Sequence, residues 1–382
     1  MFHAKQYNPP AIYKRNGQIV ALCAIRKHLV PRSPEEIIRQ KFIQYLLSKW
    51  HIPPKDIAVE EPLSRYIHGA NGRIDILVLN KIGNNKHAKP FIVVECKASD
   101  VQLTDDTLDQ ARHYANNISA SYIILTNGHK TNYYVNNKRC AQITPPKCFN
   151  DLARSAYKYV RSVKRKRPSL KDLFSNEVQC LYKGKNKLGG ATKKELFPFI
   201  INLDSMLKDF KDKKFTMPLP FKTPYFTIIK HYIRKTTFGN AAGGAYTGRY
   251  RSFLIRDGKG NNQIISMNIF GVPGFTSLVV AVDDYEKSHH SLQLNIDRHV
   301  RQENGVYTVC HNGALTKGNT GPVKTRVVID YVKAKRPDLV IDNEIVLGHL
   351  PDNELFTWNN SRKLICNLIH YALLREDIRR RG

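Results

Sequence analysis

Acidic side chains are scarce in this sequence. Asp and Glu number 32 against 61 for Lys and Arg, which gives the 382 residues a formal net charge of +29. An excess of this size says little about fold, but it raises the expected affinity for polyanions, either nucleic acid or an anionic membrane surface. Long apolar runs are also missing, since stretches such as 91–94 and 278–282 fall far below the roughly 18 to 20 residues that span a bilayer. We therefore expect a nucleic-acid partner, no transmembrane helix and no membrane partner.

Paired cysteines and a secretory signal are absent as well. The seven cysteines are scattered without a Cys-x-x-Cys pair, so we expect reduced thiols rather than a disulfide framework. The first ten residues lack the apolar core behind a basic head that marks a secretory signal. Together these absences lead us to expect a cytoplasmic protein.

The length predicts two domains, at roughly 100 to 200 residues per domain. Basic residues are densest in the stretch 151–200, which holds 13 basic and four acidic side chains and includes the run 164–167 followed by Pro168. This composition is typical of an exposed connector. We predict a first domain over 1–150, a basic linker over 151–193 and a second domain over 194–382, the last for DNA recognition or regulation.

The first domain alternates helical and strand-like patterns. Ser33-Pro34-Glu35-Glu36 is typical of a helix start, with Ser33 as the N-cap and Pro34 in the first turn. A second, short helix is predicted over 105–117. Strands are predicted over 56–60, 73–79, 91–98, 121–126 and 132–135. This order of elements predicts an α/β or α+β domain.

The second domain is less regular. Helical patterns cover 194–210, 226–235, 324–335 and 360–379. Two hairpins are predicted, one from 250–256 and 263–270, the other from 291–300 and 306–311. These elements predict an α+β domain.

Two of the predicted strands carry charged residues at one end. Asp75 lies near the start of 73–79, and Glu95 and Lys97 lie near the end of 91–98. Because side chains alternate between the faces of a strand, Glu95 and Lys97 share a face and Cys96 points away from it. If the two strands form a hairpin centred near residue 85, Asp75 falls opposite Glu95. The register is an assumption, since a one-residue slip would send Asp75 to the other face.

Two facing carboxylates repel each other unless a cation lies between them. Mg²⁺ or Mn²⁺ meets this need, because Mg²⁺ binds one or two carboxylates and several waters and completes its shell with a substrate phosphate. The bound ion activates water and offsets charge on the phosphate, while Lys97 orients the attacking water. This combination of residues predicts phosphodiester hydrolysis. The alternative is a surface salt-bridge cluster at the end of a sheet.

Asp75, Glu95-x-Lys97 and the preceding helix resemble the PD-(D/E)XK nuclease superfamily. About 100 residues, from Ser33 to Gly128, are similar to the nuclease domain at the N-terminus of the motor subunit of type I restriction enzymes. The resemblance implies a restriction-endonuclease-like core, with a mixed central sheet flanked by helices. It also implies a Mg²⁺-dependent endodeoxyribonuclease that acts in restriction or phage defence.

The resemblance assigns roles to individual residues. It implies Asp75 and Glu95 as metal ligands and Lys97 as the catalytic lysine. Glu36, in the leading helix, matches an acidic position that supports the metal site in many members. The alternative for Glu36 is simply a favourable charge in the first turn of a helix.

Gln110 and Tyr114 match the Gln-x-x-x-Tyr helix of a subset of these nucleases. At i and i+4 they share a helix face, so both can reach the substrate or the lysine, and we expect Gln110 to position the substrate. Ile74 stands where the superfamily motif has its proline. No Gly-x-x-x-x-Gly-Lys-Ser/Thr loop occurs in the sequence, so we do not expect ATP-driven translocation.

The sequence allows alternative interpretations of the basic run, of the function of the chain and of its substrate. The run of Lys164, Arg165, Lys166 and Arg167 is either a contact for the phosphate backbone or a solvated linker. The whole chain is either a nuclease, a DNA-binding protein with a nuclease-like fold and no turnover, or a nuclease gated by a ligand or partner of the second domain. RNA is a second candidate substrate. A single site per chain favours a homodimer for double-strand cleavage.

Overall fold

The computed structural model of the chain describes residues 2–80, 88–137, 140–153, 167–208, 217–239, 244–283, 289–317 and 321–381. The chain divides into two compact units, Met1–Val163 and Lys164–Gly382. Across the described ranges, no helix is long and apolar enough to cross a membrane. Each unit has its own sheets and its own hydrophobic core.

The first unit is built on a mixed sheet. Its strands are β1 (Ile12–Arg15), β2 (Gln18–Leu22), β3 (Leu29–Pro31), β4 (Ile57–Pro62), β5 (Arg73–Asn80), β6 (Lys89–Cys96), β7 (Tyr122–Thr126), β8 (Thr131–Val135) and β9 (Gln142–Ile143). Its helices are α1 (Pro34–Ser48) and α2 (Asp105–Asn117). Strands β4 to β9 form one six-stranded sheet in sequence order, in which only β6 and β7 are parallel. Helix α2 makes the crossover between them, and β1 to β3 form a separate small sheet.

The two helices cover opposite faces of this sheet. On α1, Phe42 and Leu46 are fully buried in a cluster that includes Ile76 and Val94. On α2, Ala111 and its apolar neighbours pack in a second cluster with strand residues of the other parity. Burying a side chain of the size of Phe or Leu contributes roughly 1.5 to 3 kcal/mol, so α1 is held by its apolar stripe. The prediction of an α/β first domain is confirmed, with a mixed sheet flanked by helices.

The strand register agrees with the hairpin predicted around residue 85. Strands β5 and β6 are antiparallel and pair Ile76 with Val94 and Val78 with Ile92, and a bulge follows towards the connection. Asp75 directly precedes Ile76 and Glu95 directly follows Val94, so the same register places the two residues opposite each other. The assumed register is therefore confirmed.

The second unit is an α+β structure, as predicted. Its helices are α3 (Asn176–Gly184), α4 (Phe197–Lys208), α5 (Ile296–His299), α6 (Thr325–Lys335) and α7 (Trp358–Arg380). Its strands are β10 (Phe221–Lys222), β11 (Phe226–Gly239), β12 (Ala245–Asp257), β13 (Asn262–Gly271), β14 (Thr276–Val282), β15 (His289–Asn295), β16 (Val300–Glu303), β17 (Val306–His311), β18 (Leu315–Thr316), β19 (Pro322–Val323), β20 (Val340–Ile341) and β21 (Glu344–Pro351). Strands β10 to β15 form a six-stranded sheet, and β16, β17, β21 and β20 form a four-stranded one. Helices α4 and α7 contribute to the same large apolar core.

Two predictions for the second unit are wrong. The stretch 226–235 is part of strand β11, which pairs along almost its whole length with β12 and alternates buried Phe226 and Ile228 with more exposed residues. The predicted strand 291–300 is interrupted, because β15 ends at Asn295 and the short α5 precedes β16. The second hairpin is formed instead by β16 and β17.

The predicted linker 151–193 is folded over much of its length. Helix α3 lies inside it, and Leu173, Tyr182 and Leu188 are buried in the core of the second unit. Lysines in this stretch do not require free solvent, because Lys185 lies over the ring of Tyr182, with its Nζ 4.4 Å from the ring centroid. An ammonium over an aromatic face is attracted to it, which reconciles the high charge with a packed segment.

Candidate active site

Asp75 and Glu95 lie at the same end of neighbouring strands, and both are nearly buried, at 7% and 4% exposure. The backbone N–H of Cys96 donates to Asp75 Oδ2 over 2.8 Å, which fixes this carboxylate against β6. Lys97 follows β6 directly, and its N–H donates to the carbonyl of Thr126 over 2.9 Å. Its Nζ donates to Glu95 Oε1 over 2.8 Å. The structure therefore brings together Asp75, Glu95 and Lys97, as the strand pattern predicted.

Helix α2 adds two polar side chains to this cluster. Lys97 Nζ donates to Gln110 Oε1 over 3.3 Å, and Gln110 Nε2 donates to Tyr114 Oη over 3.5 Å. The Tyr114 ring packs against Gly72, where an added Cβ would come within 3.0 Å of its Cε1. Gln110 thus reaches the predicted catalytic lysine, and Tyr114 is held one step further away.

Glu36 is buried in the first turn of α1 rather than free. Its backbone N–H donates to the N-cap Ser33 Oγ over 3.0 Å, which satisfies one of the unpaired donors of the helix start. Its carboxylate accepts a 2.7 Å hydrogen bond from Gln40 Nε2 and also pairs with Arg39. Glu36 therefore connects to the site through Arg39.

Arg39 is a central residue that sequence reasoning missed. Its guanidinium pairs with Asp75 Oδ1 at 2.6 Å, with Glu35 Oε1 at 2.7 Å, with Glu60 Oε1 at 2.7 Å and with Glu36. Four carboxylates from three elements thus converge on one cation, whose side chain is only 7% exposed. A guanidinium is suited to this role because it offers five donors in a planar fork and stays charged when buried.

One local signal could have pointed to Arg39. It stands on the buried side of α1, directly after Ile38 and three residues before Phe42, where a solvated arginine is not expected. Its partners Glu60 and Asp75 lie 21 and 36 positions away, so no helical spacing reveals them. Glu60 also has φ +55°, a conformation that costs a non-glycine residue of order 1 kcal/mol. Its ion pairs with Arg39 and Arg73 offset this cost.

Burial and mutual repulsion dominate the electrostatics of the two carboxylates. Burial, together with the charge of Asp75, raises the pKa of Glu95 to about 7, against the pull of Lys97. Burial also raises the pKa of Asp75, although Arg39 and the Cys96 N–H oppose the shift. The pKa of Lys97 is raised despite its partial burial, because Glu95 accepts its hydrogen bond. A further cation between the two buried carboxylates would therefore reduce their mutual repulsion and stabilise their charged forms.

The donor set fits a small hard cation. Asp75 and Glu95 supply carboxylate oxygens, and none of the described residues donates a hydrogen bond to the second oxygen of Glu95. Mg²⁺ needs only one or two carboxylates, since waters and substrate complete its shell. Within the described ranges, no group of three or more His, Cys, Asp or Glu residues is placed to hold a metal ion.

The basic run 164–167 stands at the start of the second unit. Arg167 donates to Ser205 Oγ, to Asn202 Oδ1 and to the carbonyl of Phe356, over 2.9 to 3.2 Å. Its guanidinium is therefore an internal anchor of the second unit, which argues against the predicted substrate contact. The other members of the run lie outside the described residues: Lys164, Arg165 and Lys166.

Comparison with known proteins gives one result for the first unit. Residues 34–145 match a family model described as type I restriction enzyme R protein N terminus (HSDR_N). The match covers less than a third of the chain, and it contains Glu36, Asp75, Glu95, Lys97 and Gln110. Comparison with curated proteins found no match, and comparison with solved structures found none either. The family match supports a restriction-enzyme N-terminal domain and a restriction-related role with DNA as partner.

Proposed function

We propose that the first unit is a PD-(D/E)XK nuclease domain that hydrolyses DNA phosphodiester bonds with Mg²⁺ or Mn²⁺, in restriction or phage defence. The observation that carries this proposal is the meeting of Asp75, Glu95 and Lys97 at one end of the sheet, with Gln110 bonded to the lysine. The family match over the same segment supports it. The second unit is proposed to serve recognition or control, and two copies would cut both strands of a duplex.

Each residue has a task that follows from its contacts. Asp75 and Glu95 would hold the ion, and a bound ion supplies a more acidic water and a counter-charge for the phosphate. Lys97 bonds to Glu95 and Gln110, so its ammonium is fixed where it can orient water against the scissile phosphate. Gln110 holds the amine in place, and Tyr114 lies where it can line the path of the strand. Arg39 opposes the rise in the pKa of Asp75 and orients its carboxylate.

The direct test is cleavage of supercoiled plasmid by the purified full-length chain. We expect nicked and linear products with Mg²⁺ or Mn²⁺, none in EDTA, and none with Asp75→Asn, which removes a charged ligand at nearly constant volume. Replacing the plasmid by a structured RNA decides between the two nucleic acids. If wild type and Asp75→Asn cleave equally, the activity comes from a contaminant and the proposal fails.

One observation favours a second candidate, a DNA-binding protein without turnover. Arg39 already pairs with Asp75 and three neighbouring glutamates, as a structural cation would in a site that binds no metal. The excess of 61 basic over 32 acidic residues would then serve binding alone.

Metal titration separates the two candidates. A ligand at a hundred times its Kd stabilises the folded state by about 2.7 kcal/mol, so a nuclease site should raise the urea midpoint of the first unit in Mn²⁺ or Mg²⁺. The fluorescence of Trp50 reports the unfolding of the first unit once the second tryptophan, Trp358 in the second unit, is replaced by phenylalanine. We expect Glu95→Gln to abolish the shift and Glu61→Gln, a buried carboxylate of β4 that pairs with exposed Arg65, to keep it. No shift in wild type would favour the binding protein.

A further inference from the structure

A basic cleft lies on the first unit, apart from the carboxylate cluster. Its volume is about 330 Å³, and the start of α1, the N-terminal segment and the turn after β7 form its walls. Three of the lining side chains are cationic, those of Lys5, Arg32 and Lys41, and the imidazole of His129 also lines the cleft. Among the described residues, no acidic side chain lines the cleft. Its walls therefore favour an anion.

The three cations lack the partners that other basic residues of this unit have. Arg39, Arg65 and Arg73 each pair with a carboxylate. By contrast, the side chains of Lys5, Arg32 and Lys41 form no ion pair with any carboxylate in the described part of the chain. Like charges gathered around a concave surface without counter-charge repel one another, and an anionic ligand relieves that repulsion.

The wall of the cleft is a rigid, close-packed structure. Gly128 has φ +86°, and a Cβ added there would lie 2.6 Å from Ile38 Cδ1 and 2.9 Å from Ala4 Cβ. Its carbonyl accepts a 2.8 Å hydrogen bond from the N–H of Ala4, which fixes the segment that carries Lys5. Only glycine permits this approach and this backbone conformation. The cations are therefore held on a preformed surface rather than on a loose terminus.

The cleft adjoins the candidate active site through shared elements. Ser99, in its lining, follows Lys97 by two residues, and the turn at Gly128 follows Thr126, whose carbonyl accepts the Lys97 N–H. Helix α1 contributes to both places, since Arg39 contacts the carboxylates while Lys41 lines the cleft. A strand whose scissile phosphate lies at Lys97 would thus bring a neighbouring phosphate close to these cations.

We infer that this cleft binds the backbone phosphate of a nucleotide that flanks the scissile bond in the nucleic-acid substrate. The volume is near the lower end of ligand pockets, roughly 300 to 1,000 Å³, so it suits one nucleotide unit. The inference rests on the proposed function, because it takes the cleaved strand as the ligand. It adds a contact that fixes the strand without reading its bases.

The first test removes the charge from the cleft and measures DNA affinity in EDTA. Each phosphate neutralised contributes about 0.9 to the slope of log K against log salt, so Lys5→Gln/Arg32→Gln/Lys41→Gln should lower the slope by about 1 or more. The matched control, Lys49→Gln/Lys89→Gln/Lys147→Gln, loses the same charge from exposed positions of the same unit and should change it far less. Equal losses in the two triple variants would overturn the inference.

The second test needs no variant. Acetylation of the wild-type chain, read by mass spectrometry, should be slowed at Lys5 and Lys41 by a DNA duplex in EDTA, while Lys49 and Lys89 keep their rates. Protection by inorganic phosphate or a nucleoside monophosphate but not by DNA would assign the cleft to a free anion and overturn the inference. Because both tests exclude metal, a protein that binds here but never cleaves would refute the proposed nuclease and leave the cleft contact standing.

Discussion

Replacement of Lys97 by alanine is expected to lower kcat for DNA cleavage by about 10²- to 10⁴-fold. A positioned group that orients water or stabilises developing charge typically contributes this much to a hydrolytic rate. Lys97 is held for that task, because its Nζ bonds both to Glu95 and to Gln110 while the side chain stays 23% exposed. The measurement is single-turnover cleavage of a labelled duplex with saturating Mg²⁺.

Two further readouts separate a catalytic role of Lys97 from a structural one. The Mg²⁺ concentration that gives half-maximal rate should change little, since Asp75 and Glu95 rather than Lys97 are the proposed ligands. The free energy of unfolding should fall by about 1 to 3 kcal/mol, because buried Glu95 loses its hydrogen-bond donor, and a loss of this size leaves a protein of ordinary stability folded in the assay. Lys89→Ala, at the other end of the same strand, is the matched control and should cleave as wild type does. A Lys97→Ala protein that cleaves within a few fold of wild type would remove the lysine from the mechanism.

The site was predictable where it depends on local periodicity. Apolar runs that alternate between two buried faces define β5 and β6, and their register follows once the connection is centred near residue 85. Asp75 then reaches the same end of the sheet as Glu95, and Lys97 follows from the two-residue repeat of a strand. The helix pair Gln110 and Tyr114 follows in the same way from the i, i+4 spacing.

The contacts of Arg39 were not predictable, because they join residues far apart in sequence. Nothing in the helix pattern of α1 shows that Glu60 and Asp75 will meet an arginine from this helix. The error at β11 has a related cause. Its residues satisfy a helical pattern over a short window, but the long pairing with β12 determines the outcome.

The folded part of the stretch 151–193 was not predictable for a different reason. High charge density favours exposure, but long basic side chains can cover an apolar surface with their stems and place their charge over a ring or at the rim. Lys183 and Lys185 do this over Phe197 and Tyr182. The charge density of a stretch of sequence therefore predicts its packing less well than the apolar residues within that stretch do.

Replacement of Arg39 by methionine is expected to cost the first unit about 3 to 5 kcal/mol of unfolding free energy at pH 7. The change keeps much of the apolar volume but leaves Glu36, Glu60 and Asp75 buried without their shared cation, and removing one partner of a buried ion pair has this effect. Arg65→Met is the matched control. Arg65 also pairs with a glutamate, but its side chain is 67% exposed, so the loss should stay below about 1 kcal/mol.

The pH dependence of the Arg39→Met loss has a definite sign. Burial raises the folded-state pKa of Asp75 above its unfolded value, and the loss of the Arg39 guanidinium, which opposes this shift, raises that pKa further. A group with a raised folded pKa binds its proton more tightly in the folded state, so the variant gains stability relative to wild type as pH falls from 8 to 5. Urea unfolding followed by Trp50 fluorescence in the Trp358→Phe background measures this difference. A loss that is constant across the range would mean that packing, rather than uncompensated charge, sets the cost.

The Arg39→Met variant also tests whether the carboxylates bind a metal ion. If Asp75 and Glu95 bind Mg²⁺ or Mn²⁺, Arg39 competes with the ion for Asp75 Oδ1, and its removal should make the stabilisation by saturating metal larger than in wild type. Asp75→Asn in the Arg39→Met background removes the ligand and should return the shift towards zero. A metal shift that is absent in all three proteins would make Arg39 the permanent counter-ion of this cluster, and the chain would then be a binder of nucleic acid rather than a nuclease.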